Sequence, residues 1–262
     1  MNSHFNILII DDEEVVIHSI SKILALEGYS YDYVFDASSA LEKITSSSFD
    51  LIICDIMLPG MDGFEFLAAI SLKHIDIPVI MTTGYSTIEN AVKSLYEGAI
   101  DFMPKPFTID EMTSVVRRGM KYSSIMKQKK INSNYFLLVP CPAKYFRLGY
   151  SCWMNKNHDG SVVVGATDFF IKTLDQIKKI ELLNINDFIT QASPAVKFHT
   201  HPFFIYQLYA VISGTIIEKN SRLVEEPELL EKDPYFNGWI YRIIPAELEY
   251  EMKLLIPCSS DR

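Results

Sequence analysis

The chain has 262 residues, of which 48% are hydrophobic, and a formal net charge of −9. That length admits two ordinary domains, and that apolar share excludes a disordered polymer. Residues 1–125 hold 18 Asp/Glu against 8 Lys/Arg, a net of −10, while residues 126–262 hold 15 against 16, a net of +1. An acidic first half lacks the clustered Lys and Arg that neutralise phosphates, which excludes non-specific nucleic-acid binding there.

Up to about residue 125, short apolar runs alternate with helical patterns. NILII reads as a strand, and VVIHSISKILALEG as a helix ending at Gly28. YDYVFD is a strand and SSALEKITSSS a helix. DLIICD is apolar on both faces, as a central parallel strand should be. After the turn LPGMDG come the helix FEFLAAISLKH, the strand PVIMTT, the helix STIENAVKSLYEG, the short strand DFMP and the helix TIDEMTSVVRRGMKY, opened by Thr108. Five βα units imply an open, doubly wound parallel sheet with helices on both faces, and ligands bind such sheets outside the carboxyl ends of the strands. Lys127 to Asn134 is polar and aperiodic, and reads as a helix end followed by a linker.

The remainder is mainly β. YFLLV, SVVVGATDF, AVKFH, YAVISGTIIEKN and WIYRII read as strands, separated by turn signals at Asp159-Gly160, Ser213-Gly214 and Asn237-Gly238. DFFIKTLDQI is the one clear helical insert. A sandwich or small barrel is expected. The four cysteines (Cys54, Cys141, Cys152, Cys258) form no CxxC pair, so neither a disulfide framework nor a zinc site is expected. The apolar stretch near the N-terminus is too short for a signal peptide, and no run reaches transmembrane length, so the expected location is the cytoplasm.

Asp11, Asp12, Asp55 and Thr83 fall at strand ends, and Lys105 follows the last strand closely. Taken singly, an Asp pair after a strand is usually a helix cap and a Lys-Pro usually a turn. In this order and spacing they fit phosphoryl transfer. Gathered carboxylates need a cation such as Mg²⁺, an aspartate can accept a phosphoryl group, and a hydroxyl and an ammonium can hold its other oxygens. A cis peptide at Lys105-Pro106 would aim the lysine, although X-Pro base rates alone argue against one.

Residues 3–122 resemble the receiver domain of a two-component response regulator, close to NtrC-type receivers. The resemblance implies that Asp55 is the phosphoacceptor and that Asp11, Asp12, Asp55 and the Met57 backbone carbonyl hold Mg²⁺. It further implies that Thr83 is the switch hydroxyl, Lys105 the conserved-type lysine and Phe102 the aromatic switch, a Phe where Tyr is commoner. It implies a flavodoxin-like (βα)5 fold, a histidine kinase or phosphotransfer protein as partner, and a receiver that can pair with a second copy. No enzymatic role is implied beyond accepting the phosphoryl group and slow autodephosphorylation.

The second half resembles the H protein of the glycine cleavage system. The matching residues are Gly165, Thr167, Asp168 and Phe169; Ser213, Gly214 and Asn220; and Pro227, Glu228, Leu229, Asp233, Pro234, Tyr235, Gly238 and Trp239. The resemblance covers about 135–257 and implies a barrel-sandwich hybrid fold. In that family a lipoylated lysine lies eleven positions before the Ser-Gly glycine, which here is Phe203. Phenylalanine cannot form the lipoyl amide, Lys197 and Lys219 lie away from the tip, and Ala210-Val211 replaces the family's Ser-Pro. No lipoate is therefore expected. The aromatics of HTHPFFIYQLY read either as a docking surface or as ordinary strand packing, and His199-x-His201 lacks a third metal ligand.

The expected organisation is a receiver over 1–124, a helix end and linker over 125–134, and a non-lipoylated H-protein-like output over 135–262. The expected function is a two-component response regulator in which Mg²⁺-dependent phosphoryl transfer to Asp55 controls a domain that binds a protein partner, not nucleic acid or membrane. Its rivals are a receiver-regulated lipoyl-type carrier, a DNA-binding regulator, which would need a helix-turn-helix, and a scaffold with a vestigial receiver.

Overall fold

The computed structural model describes residues 6–85, 87–131 and 138–261. The chain divides into two compact units, the first drawn mainly from residues 1–135 and the second mainly from 136–262.

In the first unit, strands β1 (Asn6–Ile10), β2 (Ser30–Val34), β3 (Leu51–Asp55), β4 (Val79–Thr83) and β5 (Asp101–Pro104) alternate with helices α1 (Glu14–Leu26), α2 (Ala37–Ser46), α3 (Gly63–Leu72), α4 (Ile88–Tyr96) and α5 (Ile109–Ile131). All neighbouring strands pair in parallel, in the order β2-β1-β3-β4-β5. This is the flavodoxin-like order, which brings the ends of β1 and β3 side by side. LIICD and VIMTT are buried throughout, as strands covered on both faces must be.

Local sequence sets the helix boundaries. Gly28, at φ 79°, takes the left-handed position that stops α1. Asp36 caps α2 by accepting from Ser39 N at 2.8 Å. Asp62 and Glu65 form a reciprocal capping box on α3. Thr108 opens α5 as expected, exchanging hydrogen bonds with Glu111. The polar stretch after residue 126 forms the end of α5. It stays helical to Ile131, with Lys127 paired to Asp50 and Lys130 2.8 Å from Asp76. The expected linker residues Asn132 to Asn134 and most of the expected strand YFLLV lie outside the described residues, as does Ser86 at the start of STIENAVKSLYEG.

The second unit is mainly β. Its elements are β6 (Phe146–Leu148), β7 (Cys152–Lys156), β8 (Val162–Ala166), α6 (Asp168–Thr173), β9 (Ile177–Leu182), β10 (Phe188–Ile189), β11 (Pro194–Thr200), β12 (Ile205–Tyr209) and β13 (Gly214–Lys219). They are followed by α7 (Arg222–Glu225), α8 (Leu229–Lys232), β14 (Trp239–Pro245), α9 (Leu248–Glu251) and β15 (Ile256–Pro257). A seven-stranded sheet runs β10-β13-β14-β8-β7-β6-β15 and a three-stranded sheet β12-β11-β9, all antiparallel. Tyr241 joins the sheets: its hydroxyl donates to Ala195 O at 2.9 Å and accepts from Leu183 N at 2.8 Å. Phe170 of α6 packs on Phe198 of β11, and both are buried.

Three readings are corrected here. The helix expected over 168–177 ends at Thr173, because Ile177 already belongs to β9, which pairs with β11. YAVISGTIIEKN is not one strand; it breaks over 210–213, where the chain leaves the small sheet for the large one. Cys141 and Cys258, for which spacing suggested no partner, form a disulfide across 117 residues. The pairing of β15 with β6 and a hydrogen bond from Cys258 N to Tyr145 O at 2.9 Å bring the two ends of the unit together.

The residues that carried the H-protein resemblance brace this unit. Gly165 lies under Trp153, whose ring would be 2.6 Å from a Cβ there. Thr167 caps α6 by accepting from Phe170 N at 3.1 Å. Asp168, wholly buried, accepts from Val139 N and Lys172 Nζ, while its own amide donates to the Tyr235 hydroxyl. Asn220 donates to the carbonyls of Asn237 and Trp239, and Asp233 holds the Phe236 and Asn237 amides. A Cβ at Gly214 would fall 2.2 Å from Ile244 O, and one at Gly238 2.8 Å from Asp233 O.

Candidate phosphoryl-transfer site

The parallel sheet delivers its carboxylates together. Asp11 follows β1 and Asp55 ends β3; both are buried, whereas Asp12 is exposed. One oxygen from each of Asp11, Asp12 and Asp55 lies within 4.8 Å of the others, and this is the one such group among the described residues. At an effective dielectric of about 20, two unit charges at such a separation repel by about 3 kcal/mol. A compensating cation is therefore required.

Lys105 supplies part of it. Its ammonium lies 2.9 Å from Asp55 Oδ2 and 2.8 Å from Asp11 Oδ2, with Glu13 Oε1 at 3.6 Å. The Lys105–Pro106 peptide is cis, and Lys105 N donates to Thr83 O at 2.8 Å, tying the lysine's backbone to the end of β4. Burial works to lower the lysine pKa, but the two carboxylates outweigh it and hold the ammonium above its ordinary value. Burial raises the Asp11 pKa, against the pull of Lys105. One ammonium leaves the three carboxylates two negative charges in excess. Asp11 Oδ2 has only the ion pair, without a well-directed hydrogen bond, and the buried Asp55 Oδ1 has no hydrogen-bond partner. Buried acceptors are rarely left so. An all-oxygen donor set with an orphaned buried carboxylate oxygen suits a hard divalent cation such as Mg²⁺.

The other expected residues lie around this centre. Thr83 ends β4, fully buried, with its hydroxyl accepting from Tyr85 N at 3.1 Å. Met57 lies two residues beyond Asp55, its side chain half exposed. Phe102 is buried on β5, opposite Met81.

Sequence reasoning missed two contributors. Glu13 reaches toward Lys105, and the run Asp11-Asp12-Glu13-Glu14 was its only signal. Gly63 lets α3 sit against the end of β3: a Cβ there would lie 2.3 Å from Asp55 O and 2.8 Å from Ile56 Cα. The Met61-Asp62-Gly63 turn was legible, but not this approach. In the second unit, the expected lipoyl position Phe203 lies at the β11–β12 hairpin tip and is 96% exposed. Lys197 sits back within β11 opposite Gln207, and Lys219 ends β13 in the other sheet. His199 Nε2 lies 3.1 Å from Glu181.

Residues 7–117 match the family described as "Response regulator receiver domain". The first unit carries a response regulator receiver domain. Residues 144–259 match "Glycine cleavage H-protein", so the second unit carries a domain of that family. The chain is 39% identical over 118 residues to the nitrogen assimilation regulatory protein NtrX of Azorhizobium caulinodans, covering 44% of this chain and 26% of that protein. It is 33% identical over 125 residues to the transcriptional regulatory protein DltR of Streptococcus agalactiae, covering 48% of this chain and 56% of that one. The match to NtrX, with one to NtrC of Escherichia coli at 32% identity, supports an NtrC-type receiver. Among solved structures, a CheY-like response regulator receiver domain protein from Methanospirillum hungatei is 34% identical over 47% of this chain and 99% of its own, with a TM-score of 0.44. The chain thus spans between a quarter and just over half of the length of these curated relatives. Among the described residues, no helix is long and apolar enough to cross a membrane.

Proposed function

We propose that the protein is a cytoplasmic two-component response regulator in which Asp55 accepts a phosphoryl group, so controlling the H-protein-like unit through a protein partner. The observation that carries this reading is the gathering of Asp11, Asp12 and Asp55 at the edge of the receiver sheet, with Lys105 paired to Asp11 and Asp55. The donor would be the phosphohistidine of a histidine kinase or phosphotransfer protein, or a small phosphodonor.

Asp55 would attack through one carboxylate oxygen while its other oxygen stayed on the cation. A P–O bond to Asp55 would form as the P–N bond to the histidine breaks, the imidazole taking up a proton as it leaves. Mg²⁺ held by Asp11, Asp12, Asp55 and the Met57 carbonyl would supply charge neutralisation for the incoming group. Lys105 would keep its proton throughout and turn from a carboxylate to a phosphoryl oxygen, and the Thr83 hydroxyl would exchange its bond from Tyr85 N for another. Those movements, with Phe102, would bias the surface of β4, α4 and β5 and, with it, pairing with a second receiver.

For the second unit we propose an output that binds neither DNA nor lipoate. Its described helices are six residues or shorter, which leaves no recognition helix, and its hairpin tip presents Phe203. Labelling with acetyl phosphate, with Mg²⁺ or with EDTA, followed by borohydride trapping and peptide mapping, tests the reading. Trapped label at Asp55 with Mg²⁺ only is expected; label elsewhere, or equal label with EDTA, would overturn it.

A further inference from the structure

We propose that Cys141 and Cys258 are a reversible thiol–disulfide couple, a redox clasp on the second unit closed by low-molecular-weight disulfides and opened by thiols. The two residues come from opposite ends of the unit, 117 positions apart, with Cα atoms 5.7 Å apart, inside the range a disulfide spans without backbone movement. That distance is set by the fold, since Ile256 and Pro257 pair with Arg147 and Phe146, and Cys258 N donates to Tyr145 O. The pair is thus held in reach whether or not it is bonded.

The two sulfurs differ in access. Cys258 is buried in a cluster with Tyr145, Trp153 and Tyr235, while Cys141 is half-buried at its margin. Exchange therefore begins at Cys141. Its thiolate attacks an external disulfide R–S–S–R, giving a Cys141–S–S–R bond and releasing one R–S⁻. Cys258, losing its proton to water, then attacks the Cys141 sulfur, forming the internal bond and releasing the second R–S⁻. Two protein thiols are oxidised and one external disulfide is reduced to two thiols. Two external thiols reverse the sequence.

The other cysteines take no part. Cys54 and Cys152 are fully enclosed, and burial pushes the Cys152 thiol up to about 12. Thiolate is the reactive form, so exchange is confined to the one accessible pair. In a compartment kept reducing the clasp stands open, and oxidation closes a loop spanning nearly the whole unit. A cross-link over so long a loop restricts the unfolded chain strongly.

The test uses the full-length protein equilibrated in glutathione buffers from fully reduced to fully oxidised, quenched in acid and alkylated with N-ethylmaleimide under denaturing conditions. The expected result is four alkylations at the reducing end and two at the oxidising end, the missing two mapping to Cys141 and Cys258 in one bridged peptide. Tryptophan-detected melting of the native protein should rise on oxidation by on the order of 10 °C, a rise absent in both Cys141→Ser and Cys258→Ser. Alkylation of all four cysteines in the most oxidising buffer, stable glutathione adducts in place of the bridge, or a bridge that opens only after unfolding would each overturn the proposal.

Discussion

The ammonium of Lys105 lies 2.9 Å from Oδ2 of Asp55, joining positions 50 residues apart at the carboxyl edge of the receiver sheet. The lysine side chain is 11% exposed, so its removal strands Asp11 and Asp55 without a counter-charge. We expect Lys105→Met to cost about 3 kcal/mol in chelator, with most of that regained in Mg²⁺ while phosphorylation is lost. Urea unfolding followed by circular dichroism, with and without Mg²⁺, checks this. An equal loss in both conditions would count against a shared cation site.

Gly63 is the backbone counterpart of that ion pair. A methyl group at this position would sit 2.3 Å from Asp55 O, against backbone that cannot yield cheaply. Gly63→Ala should destabilise the receiver by about 1–3 kcal/mol and slow phosphorylation with the acidic residues intact. Wild-type stability in this variant would show that α3 does not pack as described.

Arg118 on α5 is 2% exposed and binds the Asp101 carboxylate through Nε at 2.9 Å, and also the Ile100 carbonyl. Arg118→Met should cost about 3–5 kcal/mol, because it leaves the Asp101 charge buried and unpaired. The double variant Arg118→Met/Asp101→Leu should lose less than either single variant. Denaturation of all three provides the comparison, and simple additivity would exclude the pairing.

Phe203 projects from the hairpin tip, so Phe203→Lys should change stability by no more than about 0.5 kcal/mol. The variant should gain one lipoyl group when incubated with a lipoate ligase, ATP and lipoate, and the wild-type chain none. Modification of the wild type would restore the carrier reading. An unmodified variant would place the family's modification site elsewhere.

Both tryptophans, Trp153 and Trp239, lie in the second unit, so their fluorescence reports its unfolding alone. Burial pushes the Cys152 thiol and the Tyr241 hydroxyl each up to about 12, from ordinary values of 9.0 and 10.0. Well below pH 9 both groups keep their protons in the folded and unfolded states, and stability from them is intact. Above that, the unfolded chain releases protons the folded one retains, so stability falls by up to about 1.4 kcal/mol per pH unit for each group. The loss should run through the window up to about pH 12, and Tyr241→Phe should flatten its upper part. A flat profile would show that the tyrosine is not enclosed.

The receiver was almost wholly legible in the sequence, because β1 and β3 are apolar runs and Asp11, Asp55 and Thr83 fall at or next to strand ends. Asp11, Asp55, Thr83 and Lys105 stand where the alternation places them. What escaped depends on tertiary approach: Gly63 against Asp55 O, and Arg118 beneath Asp101, carry no local signal. The second unit was harder to read. IKKIEL has helix-like spacing yet forms β9, because β11 supplies its partner, and CWMNK forms β7 despite its polar end. The Cys141–Cys258 pair follows from a two-residue strand at the chain's end, too short to carry a pattern.

The central claim is that Asp55 accepts one phosphoryl group in a chain that carries no lipoyl group. Intact mass of the purified protein, before and after acetyl phosphate with Mg²⁺, tests it most directly. The expected result is the mass of the bare chain at the start and a gain of one phosphoryl group, absent in Asp55→Asn. A starting mass raised by a lipoyl group, or a phosphoryl gain that persists in Asp55→Asn, would contradict it.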